Sequence, residues 1–428
     1  MKRHHSLTLG LASLAVLAAA APAAAQPVTL EIVHAWGGHA RFHTPIAEAF
    51  MAQHPDIKIV YRAPLPSYTE GHQAILRQAV SDDLPDIWYS PYNLLGELVA
   101  TLEPRGQITP LDALLSGEGE AFVSANYDPA VLALGQVAGT QWGVPFNAST
   151  PIAYYNLDLI KAAGGNSDAL PTDWDSLIAL GKAISESSDD SDGFAYSAAE
   201  WSDDWLWQAL IDNYGGTMMN VDKTEVTFGN EAGVQALAVL ARMAAETEMP
   251  ILNEDQTIEQ FAAGKLGIFI GSTAEVRVMG DLVGGKFAWQ TGPYPVVDQT
   301  NGGIPVGGNV ATILTADPAR QAAAWEFIKF ATGPEGQKIA VLGSGYMPTN
   351  LLATAPEYLG EHYAQNPDWA TSLKQWPVAK AWFGYPGGKG TRIWHEQQLI
   401  LGGVMRGDVT PEDALPALVE VTERLLAE

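Results

Sequence analysis

Between residues 28 and 89 the chain alternates short apolar runs with amphipathic stretches, and this order limits the folds open to it. Val28, Leu30, Ile32 and His34 alternate with Thr29, Glu31, Val33 and Ala35, and the run ends on Trp36-Gly37-Gly38. Thr44-Pro45 offers an N-cap and a first-turn proline to a helix carrying Ile46, Ala49 and Phe50, and Asp56 to Arg62 returns as a second strand. A helical segment over Gly71 to Ser81 leads to a third strand at Pro85-Asp86-Ile87-Trp88-Tyr89. Strand, helix, strand, helix, strand implies a parallel sheet covered on both faces.

A second α/β pattern occupies Gly264 to Pro295. Gly267-Ile268-Phe269-Ile270 runs into Gly271-Ser272-Thr273 and a helical segment from Ala274 to Leu282. A strand that ends in Gly-Ser-Thr at a helix start points N–H groups and hydroxyls at whatever sits there. Between the two patterns lies Gly143 to Asn156, GVPFNASTPIAYYN. Its glycine and prolines exclude helix, Asn147, Ser149 and Thr150 are polar, and Tyr154-Tyr155-Asn156 closes an apolar run. That composition suits backbone crossing between two lobes beside a cleft, with Trp142 to Pro145 just past the crossing. With 428 residues, more than one core holds (roughly 250–300 residues), and with no low-complexity linker, two α/β units must be joined by tight hinge strands. The later helices open at Asp317-Pro318 and Thr410-Pro411, each a capping residue followed by a first-turn proline.

The N-terminus indicates where the protein works. Met1-Lys2-Arg3-His4-His5 is basic, Leu7 to Ala21 is apolar but short for a span, and Ala23-Ala24-Ala25 supplies small residues before Gln26. Residues 1–25 therefore read as a signal peptide cut after Ala25. The formal charge is −26; losing Lys2 and Arg3 leaves 21 basic against 49 acidic side chains, or −28. Such a chain repels nucleic acid and anionic membrane surfaces. It has no cysteine, which excludes disulfides, thiolate metal sites and a lipidated cysteine at the cleavage point. A freely soluble, monomeric periplasmic protein fits these facts.

Catalytic signatures are incomplete. His395-Glu396 lacks the second histidine of a helical zinc site, Gly343-Ser344-Gly345 is not a nucleophile elbow, and Gly388-Lys389-Gly390 lacks the third glycine of a dinucleotide fingerprint. Ser188, Asp190, Asp192 and Gly193 resemble a calcium loop, but serine heads it and alanine replaces the bidentate glutamate. No metal and no cofactor is expected. Asp203-Asp204 are adjacent, so they do not flank a bond as glycosidase carboxylates do. What the chain does carry is aromatic density in polar company, most compactly in Glu200-Trp201-Ser202-Asp203-Asp204-Trp205. Aromatic faces stack on the C–H surfaces of polyols while neighbouring carboxylates, amides and hydroxyls bond the hydroxyl groups.

The leading strand to Trp36, Trp142-Gly143-Val144-Pro145 followed by Tyr154-Tyr155-Asn156, Asp317-Pro318 to Phe330 with Gly333-Pro334-Glu335-Gly336, and Gly345-Tyr346-Met347-Pro348 together resemble the bacterial extracellular solute-binding proteins of family 1, the periplasmic receptors of carbohydrate ABC importers. Pro145-Phe146-Asn147-Ala148-Ser149-Thr150-Pro151, Gly307-Gly308 and Thr391-Arg392-Ile393 look most like the glycerol-3-phosphate-binding branch. The resemblance implies a two-lobed α/β fold of type II, with a mainly parallel sheet flanked by helices in each lobe and the ligand cleft between them. The expected lobes are 27–138 with 310–345, and 139–309 with 346–428.

It also implies binding without chemistry, hinge closure on the ligand, and delivery to the transmembrane subunits of an importer. Ser149, Ser272, the Gly308 backbone, Tyr346 and Arg392 would cradle a phosphate, and Trp201 or Trp205 would cover the glycerol moiety. Tyr68 would close from the first lobe, and Trp36 is a further ligand-binding candidate. The branch pattern is broken by Ala148, where a second serine is usual, and by His34-Ala35-Trp36-Gly37-Gly38-His39, which differs from the branch's tryptophan-histidine start followed by an acidic residue. Arg392 also suits a surface ion pair, and Ser149 and Ser272 suit local capping. The expected ligand is glycerol-3-phosphate or a related glycerophosphodiester; the alternatives are a neutral di- or oligosaccharide in the same cleft, and a secreted glycoside hydrolase.

Overall fold

The computed structural model describes Met1 and residues 27–428; the expected signal peptide lies outside the described residues, apart from Met1. Twelve strands appear, in chain order β1 (Val28–Val33), β2 (Ile57–Tyr61), β3 (Ile87–Pro91), β4 (Gln136–Val137), β5 (Thr140–Gln141), β6 (Gly143–Ser149), β7 (Pro151–Asn156), β8 (Asp192–Tyr196), β9 (Leu266–Ser272), β10 (Trp289–Pro293), β11 (Ile304–Ile313) and β12 (Ala379–Ala381). The first sheet runs β12-β11-β3-β1-β2, with β6 also laddered to β11. Here β1, β2 and β3 are mutually parallel, as the alternating pattern requires, while β11 runs antiparallel to β3 and β6. The second sheet is β10-β7-β9-β8, where β8 and β9 are parallel but β7 runs antiparallel to both β9 and β10, so the expected mainly parallel pairing does not extend to it; β4 and β5 form a small hairpin.

The helices cover these sheets by their apolar spacing. In Ala40–Gln53, Phe42, His43, Ile46, Ala47 and Phe50 are buried, a stripe at three- and four-residue intervals. Phe50 meets Phe327 of the helix Pro318–Ala331 edge-on at 5.2 Å between ring centres. This helix starts four residues before the expected Thr44-Pro45 boundary and keeps Pro45 inside it. The Gly37–His39 turn leads straight into the helix, so proline removes an interior bond instead of opening the first turn. The later boundaries agree with the expected caps. Asp317 accepts from the Arg320 N–H and Thr410 from the Asp413 N–H.

The stretch from Gly143 to Asn156 joins the two sheets. β6 ends at Ser149 and β7 begins at Pro151, so the chain passes between sheets across Thr150 alone. The expected division at 138/139 differs from this pairing: Gly143–Ser149 ladders with β11 in the first sheet, and β11 starts there at Ile304 instead of 310. The reason lies in the hydrogen bonds, since every residue of β6 and β11 is buried and needs a backbone partner. The crossing is held by side chains. Thr150 Oγ1 lies 2.7 Å from Ser372 Oγ, and Gln375 Nε2 donates to both Thr150 Oγ1 and the Pro151 carbonyl.

Candidate functional site

On the first-sheet side, the site is built where β1 ends. Trp36 takes a positive φ of 54°, a costly conformation for a tryptophan, and its ring lies T-shaped on Tyr68 at 4.2 Å. Tyr68 opens the helix Tyr68–Val80, whose N-cap Ser67 accepts from the Glu70 N–H. Burial pushes the Tyr68 hydroxyl well above its usual range, so it stays protonated, and Asn309 Nδ2 donates to it at 2.9 Å. Asn309 lies beside a register shift in the β6–β11 ladder. At that shift Gly308 has φ +126°, and a Cβ there would sit 2.2 Å from the Asn147 carbonyl oxygen. Only glycine satisfies both conditions.

The opposite side is built from the tryptophan pair and the two serines. Trp201 and Trp205 lie 5.9 Å apart, and Trp205 Nε1 donates to the Pro305 carbonyl of β11 at 3.0 Å, fixing the ring against the sheet edge. A Cβ on Gly307 would approach Ser149 Oγ at 2.8 Å and the Trp205 ring at 3.0 Å, so the missing side chain lets these three meet. Ser272 ends β9 and caps the following turn by accepting from the Ala274 N–H at 3.1 Å. Its hydroxyl proton remains free to donate outward. Tyr346 is buried against His39 and Phe42, both edge-on.

These side chains line one cavity of about 760 Å³. Of the nine residues named from the sequence, Trp36, Tyr68, Ser149, Trp201, Trp205, Ser272, Gly308 and Tyr346 are brought together there. Arg392 is not. It lies near the start of the helix Gly390–Met405 with its side chain 56% exposed, ion-paired to Glu428. Ile393, Trp394, Gln397 and Leu401 form the buried face of that helix, which leaves Arg392 pointing away from it.

The cavity contains charges that the sequence reading did not assign to it. Arg41 is the one guanidinium in its lining among the described residues, and no lysine joins it. Against it stand Glu200, Asp203, Glu254, Asp255, Glu259 and Glu275. Burial, reinforced by neighbouring Asp204, pushes Asp203 up to about 8. Burial likewise raises Glu275 to about 7, opposed by Arg41, and raises Glu254 well above the carboxylate range. Asp204 is raised less, to about 6, because Gln208 and Trp382 donate to it. Asn253 and Gln256 form a reciprocal capping box that sets Glu254 in a first turn. That signal is legible in the sequence, although it fixes the helix and not the cavity it faces. Among the described residues no group of histidines and carboxylates is arranged to hold a metal ion.

Two α/β units around a cleft of aromatic faces, hydroxyls and carboxylates define the type II two-lobed binding-protein fold. The sequence profile of the bacterial extracellular solute-binding proteins matches residues 37–338, and the chain belongs to that family. It is a solute receptor of an ABC importer, not an enzyme. Among curated relatives, the sn-glycerol-3-phosphate-binding periplasmic protein UgpB of Rhizobium meliloti is 26% identical over 280 residues, 63% of this chain and 64% of that protein's length. The protein of the same name from Escherichia coli K12 is 23% identical over 403 residues, 89% of this chain and 88% of its own. Among solved structures, UgpB from Mycobacterium tuberculosis in complex with glycerophosphocholine superposes with a TM-score of 0.79 at 19% identity, covering 94% of this chain and 98% of the other. The cyclic alpha-maltosyl-1,6-maltose binding protein of Arthrobacter globiformis gives 0.74 at 20% identity, covering 94% and 99%. No helix among the described residues is long and apolar enough to cross a membrane.

Proposed function

We propose that this receptor captures a hydroxyl-rich solute without net negative charge, a neutral di- or oligosaccharide, and delivers it to the importer's transmembrane subunits. The observation that carries this reading is the lining of the cleft: Trp36, Tyr68, Trp201 and Trp205 present aromatic faces, while Ser149, Ser272 and the carboxylates offer hydroxyl partners. Stacking plus hydroxyl bonding is the physics of sugar recognition. A cavity of about 760 Å³ also exceeds what a three-carbon phosphate needs. A maltose-bound structure among the fold's neighbours supports the same class of ligand.

Glycerol-3-phosphate is favoured by the names of the curated relatives, but a dianion would enter a cleft lined by one guanidinium and six acidic side chains, of which Glu200, Asp255 and Glu259 are acids beyond the three that burial pushes toward the neutral form. With Arg392 elsewhere, Arg41 and the serine hydroxyls are what remains to offset its charge. A zwitterionic glycerophosphodiester meets the objection in part, since its cationic end suits the acidic wall. The mature protein would begin after Ala25 in the periplasm, as a monomer. Its first lobe would carry the first sheet, its second lobe the second sheet, and the lobes would hinge at Thr150 and the other crossings to close on ligand. Titration calorimetry with maltose, cellobiose, trehalose, glycerol-3-phosphate and glycerophosphocholine tests the reading. Micromolar binding of a disaccharide with no heat from glycerol-3-phosphate is expected; the reverse pattern rejects it.

A further inference from the structure

Three stretches of chain that pass between the two sheets meet at one buried side chain. The first is Thr150, between β6 and β7. The second is residues 294–303, between β10 of the second sheet and β11 of the first. The third is the short helix Ser372–Val378. Just before this helix the chain is bonded to the second sheet: the Thr291 N–H of β10 donates to Asp368 Oδ1 at 2.9 Å, and Thr291 Oγ1 lies 2.6 Å from Thr371 Oγ1. Just after it the chain enters β12, which ladders with β11 in the first sheet.

Gln375, buried in the third passage, bonds both of the others. Its Oε1 accepts from the Tyr294 N–H at 2.7 Å, and its Nε2 donates to Thr150 Oγ1 at 2.7 Å and to the Pro151 carbonyl at 3.0 Å. Thr150 Oγ1 also lies 2.7 Å from Ser372 Oγ, one helical turn before Gln375. The partners fix which way the amide faces, because turning it over would set nitrogen against the Tyr294 N–H and oxygen against the Pro151 carbonyl. Each partner is anchored in turn. The Tyr294 hydroxyl lies 3.0 Å from that of Tyr196, and the Thr150 carbonyl accepts from the Thr273 N–H at 3.2 Å.

On the reading that the lobes hinge at these crossings, we propose that Gln375 is the positioning residue of the hinge: its one amide holds three passages in register, so that the lobes turn about a fixed axis and do not slide past each other. A hinge needs a few residues that absorb the change in φ and ψ, set against a part that stays rigid. The bonds of Gln375 supply the rigid part. A stiff pivot leaves the ligand-free protein fewer lobe orientations, so less freedom is lost when a solute closes the cleft. Gln375 does not line the cleft, and its effect reaches the solute only through the placing of the lobes.

The chain has no cysteine, so Glu48→Cys in the helix Ala40–Gln53 and Lys182→Cys in the helix Trp174–Ser187, both exposed, place one nitroxide on each lobe. Double electron–electron resonance then reads the distance between them. The expected result is one narrow distance peak for the ligand-free labelled parent, broadening of about twofold or more in Gln375→Met, and a smaller broadening in Thr150→Val, which keeps the shape and loses the hydroxyl. Gln397→Met is the control. It removes a buried amide bonded to Tyr385 and Thr422, away from the crossings, and is expected to keep the parent's width. The parent's width in both hinge variants, or equal broadening in Gln397→Met, overturns the assignment; if Gln375→Met does not fold, Thr150→Val decides. Maltose, cellobiose and trehalose, added in turn to the labelled parent, separate the clamp from closure itself. A sugar that binds by calorimetry without moving the peak rejects closure, while the ligand-free widths still decide the role of Gln375.

Discussion

The two walls of the cleft are made of different chemistry. The wall at the end of β1 is aromatic and carries the one guanidinium that lines the cleft among the described residues: Trp36 on Tyr68, Tyr346 behind them, and Arg41. The opposite wall, from Trp201 through Glu254 to Glu275, carries the six carboxylates as well as the tryptophan pair. The first wall supplies surface that any polyol can use. The second adds acidic side chains, three of them pushed by burial toward the neutral form, so its charge depends on pH and on what enters the cleft.

The largest expected effect tests that division directly. Trp205→Ala removes a stacking face and the bond to the Pro305 carbonyl, and weakening of about 2–4 kcal/mol in ligand affinity by calorimetry is expected. Trp36→Ala, on the other wall, is expected to cost about 1–2 kcal/mol, because it removes one aromatic contact while the positive φ, which glycine alone would relieve, stays as it is. Equal losses would erase the distinction between the walls. Gly308→Ala acts on the seam between them: the positive φ and the nearby Asn147 carbonyl predict a loss of about 2 kcal/mol or more in folding stability, read by urea denaturation.

A subtler difference appears with pH. Asp203 is raised to about 8 by burial and then by Asp204, and Glu275 to about 7 by burial, so the folded protein holds these protons more tightly than the unfolded chain. Their contribution to stability is complete below about pH 4 and is lost as pH rises through 7 and 8. The ligand-free protein is expected to melt at a lower temperature at pH 8 than at pH 6, and Asp203→Asn to flatten that slope. An unchanged slope in the variant would move the acidic effect to another part of the molecule. The smallest effect is assigned to Arg392→Ala, which breaks an exposed pair with Glu428 and is expected to change ligand affinity less than twofold.

Arg392 also shows where sequence reasoning stopped. Thr391-Arg392-Ile393 reads as a phosphate motif, but the period of the helix turns Ile393 and Gln397 inward and leaves the arginine outside. The first sheet was legible because β1 to β3 alternate with helices, and the parallel pairing follows from that order. Ser272 was legible from the Gly-Ser-Thr end of a strand at a helix start, whereas Ser149 and Gly308 followed from the family resemblance. Arg41, Glu254 and Glu275 were not legible, since acids and arginines near helix starts are common on solvated faces. Only the tertiary arrangement turns them into a cleft lining. The expected boundary at 138/139 lies ahead of the passage between sheets at Thr150 for a related reason: a fully buried run such as Gly143–Ser149 does not reveal which sheet it joins.

The central claim is that ligand binds in the cleft between the lobes and closes it. Small-angle X-ray scattering of the wild-type protein and of Trp205→Ala, each with and without a disaccharide that calorimetry shows to bind wild type, tests it most directly. The account predicts a smaller radius of gyration for wild type with ligand and no change for Trp205→Ala at the same concentration. A bound sugar that leaves the wild-type radius unchanged, or that compacts both proteins alike, would contradict it.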